Sequence, residues 1–98
     1  MAITEWPYKV PEPKDPNAVL DYVIDWSDYL AVGETIVSSR WELSGDAVLE
    51  TDTNTDTLAT AWVSGGTATF RLTNSITTSS LPVARQDQRT LVIKVKDK

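Results

Sequence analysis

Cysteine and histidine are both absent from this 98-residue chain. Without cysteine no disulfide staples the fold, which fits a reducing compartment or a fold that needs no staples. Without histidine the commonest general base and the commonest metal ligand are missing together, so Ser-His-Asp and Cys-His sites are excluded. Glycine is scarce: Gly33, Gly45, Gly65 and Gly66 are the four. The run Ser64-Gly65-Gly66-Thr67 lacks the lysine of a phosphate-binding loop. No stretch approaches the ~18 apolar residues of a membrane span. The opening MAITEWPYKVPEPKDP has no basic region followed by an apolar run, so a soluble chain made in a cytoplasm, not a secreted one, is expected.

What is present is one domain's worth of sequence, short enough to bury only roughly 60–70% of its surface on folding. The net charge of −5 is polarised along the chain. Residues 1–60 hold three basic against twelve acidic side chains, a balance of −9, and residues 61–98 hold six against two, a balance of +4. An acidic half and a basic half argue against nucleic-acid binding, which wants a continuous basic face. They leave two readings open, a solvated surface or head-to-tail contact between copies.

Pro7, Pro11, Pro13 and Pro16 crowd the N-terminus. Proline blocks helix and ladder hydrogen bonds alike, so residues 1–16 are expected to form an extended arm, ahead of a domain over 17–98. Trp6 and Tyr8 lie in this arm, and a solvated tail rarely needs two large aromatics, so they are expected to dock on this domain or on a neighbour. With Pro11, Pro13, Lys94 and Lys96 they are the candidate interface residues. If the arm serves assembly, removing residues 1–14 should leave the melting temperature nearly unchanged.

From Leu20 the chain alternates, with Leu20, Tyr22, Ile24 and Trp26 on one side and Asp21, Val23 and Asp25 on the other, the period of a half-buried strand. Ser27 or Asp28 then caps a single turn that Gly33 ends. A second strand places Val37, Ser39, Trp41 and Leu43 on one face, and Ser-Gly-Asp at 44–46 is a turn. The polar, Thr-rich segment from Ala47 to Thr57 suits an exposed edge strand or hairpin. Residues 58–64 form a strand whose inward set is either Ala59, Ala61 and Val63 or Leu58, Thr60 and Trp62. Gly65-Gly66 supplies a turn needing positive φ. Ala68, Phe70, Leu72 and Ile76 mark the inward face of the next strand. Residues 81–88 read as a loop, and the last strand points Leu91, Ile93 and Val95 inward and Lys94 and Lys96 outward. About seven short strands and no periodic helix predict an all-β fold, an immunoglobulin-like antiparallel β-sandwich.

Tests for chemistry fail. Asp52 to Thr57 resembles the start of a calcium loop, but Thr57 replaces the turn glycine and Val63 the bidentate glutamate. Asp21 and Asp25, on one strand face, lie roughly 13 Å apart at about 3.3 Å per residue, beyond the ~5–9.5 Å of a glycosidase pair. Trp26 and Trp41 fall on apolar strand faces, where core packing accounts for them better than a sugar platform does. No catalytic residue, metal or cofactor is expected.

The run D-W-S…L…G-x-T-I-x-S-x-x-W, carried by Asp25, Trp26, Ser27, Leu30, Gly33, Thr35, Ile36, Ser38 and Trp41, followed by S-G-G-T at Ser64 to Thr67, resembles the phage fiber-tail adaptor proteins, small structural proteins of bacteriophage virions. The resemblance spans about Pro11 to Lys98. Members of that family often carry a further Gly and a Tyr after the S-G-G-T turn, where this chain has Ala68-Thr69-Phe70. The resemblance implies an Ig-like, non-enzymatic virion module at the neck or tail, assembled in the host cytoplasm and present in several copies, which the charge split and the proline-rich arm would join in a ring on the particle. Its partners would be other virion proteins, with no nucleic acid and no membrane. It also implies that Tyr22, Ile24, Trp26 and Leu30 are core, joined by Trp41, Phe70, Leu72, Leu91, Ile93 and Val95, while Asp25 or Asp28 serves backbone N–H groups of the turn. A capsid decoration protein and a carbohydrate-binding module for host-surface sugars are the alternatives.

Overall fold

The computed structural model describes residues 6–97. It is all-β, with seven strands in two sheets: β1 (Tyr8–Lys9), β2 (Val19–Asp25), β3 (Ile36–Ser44), β4 (Ala47–Asn54), β5 (Leu58–Gly65), β6 (Phe70–Thr78) and β7 (Gln86–Ile93). One sheet has the order β1-β7-β6-β3 and the other β2-β5-β4. All pairs are antiparallel except β1, which lies parallel to β7. Among the described residues no helix is long and apolar enough to cross a membrane.

The two sheets enclose one core. It is built from Ile24 on β2 and Trp26 just after it, Ile36 and Trp41 on β3, Ala59, Ala61 and Val63 on β5, Phe70, Leu72 and Ile76 on β6, and Leu91 and Ile93 on β7. Tyr22, Leu30 and Val95 pack against it half-buried. Strand period two explains most of this directly. It also settles the open face of β5, where the alanines and Val63 have no exposed surface and Trp62 faces solvent at 40%. Bulk in the core therefore comes from the tryptophans and Phe70, since the central strand of its sheet offers only small side chains.

Three local expectations are corrected. Val37 is exposed while Ile36 is buried, because a bulge between Ile36 and Ser38 shifts the register and lets Ile36 and Trp41 share a face. Ala68 is exposed, since β6 begins only at Phe70. Gln86 to Gln88 belong to β7 and pair with Ser75 to Thr77, so the loop is shorter than its polar composition suggested. The Ser44–Asp46 turn, with Gly45 at φ 101°, and the Gly65-Gly66 turn, at φ 71° and 96°, stand where expected.

The N-terminal segment runs along β7. Tyr8 and Lys9 pair with Leu91 and Val92. Beyond them the Val10 N–H donates to the Val92 carbonyl at 2.9 Å, the Lys14 N–H to the Lys94 carbonyl at 2.8 Å, and the Lys96 N–H to the Lys14 carbonyl at 2.9 Å. Lys14 has no exposed surface. Its ammonium donates to the carbonyls of Gly65 (2.7 Å) and Asp15 (3.0 Å), which offsets part of the cost of burying a charge. That burial still lowers the pKa of Lys14, with the neighbouring Asp15 charge opposing.

The tryptophans generate a prediction. The Trp26 indole N–H donates to Asn74 Oδ1 at 2.8 Å, whereas the buried Trp41 N–H has no acceptor among the described residues. Replacing either residue with Ala should cost about 3–5 kcal/mol. Replacement with Phe should separate them: Trp26→Phe strands a buried amide oxygen, a penalty of about 1–3 kcal/mol that Trp41→Phe escapes. Chemical denaturation should therefore rank Trp26→Phe as the less stable, and equal stabilities would refute the assigned hydrogen bond. A second prediction revises the expectation for the N-terminus. Deleting residues 1–14 removes β1 and the Lys14 anchor, so thermal unfolding should show a clearly lowered Tm. An unchanged Tm would mean that this pairing contributes nothing.

Candidate assembly interface

After β2 the chain makes one turn, with the N–H groups of Tyr29 and Leu30 donating to the Trp26 carbonyl at 2.9 and 3.1 Å. Asp25 Oδ1 accepts the Ser27 N–H at 2.9 Å, an Asx-type start to the turn. The turn presents Trp26 inward with Tyr29 edge-on to it, ring centroids 5.5 Å apart.

Arg89 closes this end of the core. It occupies an inward position on β7, opposite buried Asn74, and its side chain is only 11% exposed. The guanidinium lies 4.3 Å over the Trp26 ring and 5.1 Å from the Trp6 ring, within cation–π range of both. Its two terminal nitrogens donate to Asp28 Oδ1 and Oδ2 at 3.0 and 3.1 Å, and one also reaches the Asp25 carbonyl at 3.2 Å. Hydrogen bonding from Arg89 holds the Asp28 carboxyl below its usual range, against the opposing effect of burial.

Arg85 makes a parallel brace one layer further out. It lies 4.3 Å over the Tyr29 ring, donates to the Tyr29 carbonyl at 3.0 Å, and grips Glu34 through Nε and a terminal nitrogen. Glu34 also accepts from the Ala31 N–H at 2.8 Å and from the Thr78 hydroxyl. Thr35 and Ser79 tie the two loops together, the Thr35 N–H donating to Ser79 Oγ and the Ser79 N–H to the Thr35 carbonyl. Loops 26–35 and 79–85 thus form one fixed tip. On it Val32, Leu81 and Val83 stand almost wholly in solvent, around a shallow pocket lined by Ala31, Gly33 and Ser80 among others.

The broad faces differ from each other. Strands β2, β4 and β5 contain four acidic and no basic side chains. Their outward face carries Asp21, Asp25 and Glu50 around Val19, Val23, Val48 and Trp62. The outward face of the other sheet is hydroxyl- and amide-rich, with rows Arg40–Ser75–Gln88, Glu42–Thr73–Thr90 and Ser44–Arg71–Val92–Lys9. The sequence of residues 14–94, from buried Lys14 through the Trp26 turn to the end of β7, matches the family described as Podophage GP4 fiber-tail adaptor protein gp77. The chain belongs to this family. No curated protein matches it.

Membership in the fiber-tail adaptor family makes the chain a structural component of a phage virion that binds other virion proteins. Of its sequence-predicted interface residues, Trp6 and Tyr8 are half-buried against the chain's own core, their rings edge-to-face with centroids 6.2 Å apart. Pro11 is exposed and Pro13 partly so, while Lys94 and Lys96 project into solvent just past β7. These residues are strung along the β7 edge and are not gathered into one patch. Sequence reasoning missed Arg85, Glu34 and the apolar tip, whose loops carry no periodicity. It also missed Arg89, although a signal existed: counting back by two from Leu91, Arg89 has inward parity.

The brace has a titration signature. Its hydrogen bonds, chiefly from Arg85 and then from Ala31 and Thr78, lower the Glu34 pKa from 4.5 to about 2. A carboxyl depressed in the folded state contributes stability that is complete above pH 4.5 and lost as pH falls toward 2. Asp28 acts in the same sense. Thermal melts across that window should show Tm falling with pH, and Glu34→Gln should have a lower Tm at neutral pH with a shallower acid dependence. A variant whose Tm falls as steeply as wild type would show that Glu34 is not the linked group.

Proposed function

We propose that this chain is a non-enzymatic adaptor at the phage neck or tail, linking fibres or other tail components to the particle. The family match over residues 14–94 carries this reading. Several features support it. The sheet order, with β1 joining β7 in a β1-β7-β6-β3 sheet against β2-β5-β4, supports an immunoglobulin-like reading of the two sheets. In such a sandwich the loops at one end are available for recognition. Here that end is the braced tip, whose exposed Val32, Leu81 and Val83 offer apolar contact at little ordering cost, because the loops are already fixed.

In this reading residues 6–14 of the N-terminal arm lie along β7, Pro11 of the arm together with Lys94 and Lys96 past β7 faces neighbouring subunits, and copies of the chain form a ring. Assembly takes place in the host cytoplasm. In this reading neither nucleic acid nor membrane is a partner: Lys9, Arg40 and Arg71 are spread over a face of Ser, Thr and Gln that also carries Glu42. The alternative of a sugar-binding module is disfavoured by the tryptophans: Trp62 is exposed alone on a sheet face, Trp6 is half-buried, and Trp26 and Trp41 are core.

Particles assembled with Val32→Asp/Leu81→Asp protein test this reading. Both positions are solvent-exposed, so the variant should fold with a wild-type melting curve. Electron microscopy and gel analysis should show tails that have lost most of their fibres. Normal fibre content in particles that carry the variant would rule out the tip, and normal fibre content in particles lacking the protein altogether would rule out the adaptor role.

A further inference from the structure

Charge is sorted between the sheets in a way the linear sequence conceals. The outward face of β2-β5-β4 bears Asp21, Asp25 and Glu50 and no cation. Opposite it, the outward face of β1-β7-β6-β3 bears Lys9, Arg40 and Arg71 against the single anion Glu42. The two faces lie back to back on one thin molecule, whose shortest extent is 17 Å.

The acidic face is also the more apolar. Register places Val19, Ser64 and Val48 in one row and Asp21, Trp62 and Thr51 in the next, so Trp62 stands in the middle of the sheet between valines. Val19, Val23 and Val48 are each about half exposed. A large aromatic with apolar neighbours and a charged rim is the composition of an interface centre. The basic face offers a complementary floor, flat and rich in Ser, Thr and Gln. There Arg40 pairs with Glu42 at 3.5 Å, with both side chains more than two-thirds exposed.

We infer that copies of this chain stack front to back, the Trp62 face of one subunit lying on the Arg40–Arg71 face of the next. This deepens the proposed ring of copies and rests on it. A second copy is the occupant that the charges favour. Two acidic faces would repel, as would two basic ones, and only the front-to-back pairing sets three anions against three cations. Such a contact is heterologous, so each pair of subunits keeps one face of each kind free for a further copy, and a ring closes where the rotation permits. Exposed ion pairs of this sort are screened by salt, so the contact is weakest at high ionic strength.

Sedimentation of the full-length chain at rising concentration and low ionic strength tests the inference. Wild type should self-associate, and high salt should reverse it. Asp21→Lys/Glu50→Lys and Arg40→Glu/Arg71→Glu should each be monomeric, with wild-type circular dichroism. Mixed together they should associate again as an alternating stack, because the two untouched faces are complementary in charge and so are the two reversed ones. Trp62→Ser, which changes no charge, should weaken self-association about ten-fold or more, and gives a second readout should a charge-reversed variant fold poorly. A wild type that stays monomeric at all concentrations, reversed variants that associate like wild type, or a mixture of folded variants that remains monomeric would each overturn front-to-back stacking. None of these outcomes bears on fibre attachment, which is read on particles, so the adaptor role stands or falls separately.

Discussion

The fold turns on one indole ring. Trp26 lies where the chain leaves β2 and crosses to the other sheet, and its surroundings come from four separate segments. Asn74 of β6 accepts its N–H, Arg89 of β7 lies over its face, and Tyr29 of the following turn meets it edge-on. Trp6 of the N-terminal segment also lies within reach of the same guanidinium, at 5.1 Å. Asn74 in turn donates to Ser39 Oγ and to the Arg40 carbonyl of β3 at 2.9 and 3.1 Å. A buried amide is costly unless its groups are paired. Here both amide N–H directions and the oxygen are used, so the network stabilises one register of β3 on β6 and penalises slippage.

The same device builds the loop tip at this end of the sheets. Arg85 and Arg89 each place a planar guanidinium over aromatic rings while forking onto a carboxylate, an arrangement that lysine cannot reproduce because its ammonium is a point charge. Through Glu34, Thr78, Thr35 and Ser79 the outer brace fixes the outer parts of two loops, beyond the packed Trp26, Tyr29 and Leu30. The result is a tip whose exposed valines and leucine are presented on rigid backbone. Rigid backbone of this kind loses little further freedom in any contact it makes.

Much of the fold was legible because strand geometry repeats every two residues. Ile24 and Trp26, Leu72 and Ile76, and Leu91 and Ile93 announce their inward faces by simple alternation. The rule failed where backbone departs from it: the bulge at Ile36–Ser38 turns Val37 outward, and Ala68 precedes its strand. It was also applied too narrowly to polar residues. Asn74 and Arg89 have the inward parity of their strands, yet alternation is conventionally read from apolar residues alone. The β5 strand resisted because alanine and threonine differ too little in hydrophobicity to outweigh a misleading Trp62.

The sequence by itself determined the class of fold, the absence of cysteine and histidine chemistry, the turn glycines, and the family through the Asp25–Trp41 motif. These follow from residue identity and short-range periodicity, which need no partner to be read. The tertiary structure alone decided which charges meet. Along the chain, charge divides into an acidic first half and a basic second half. In space it divides by sheet, because β3 leaves the acidic half to pair with β6, while β5 crosses back between β2 and β4. Asp28 with Arg89 and Glu34 with Arg85 are partners more than fifty residues apart. No local rule connects them, and only the crossing of the chain between sheets brings them together.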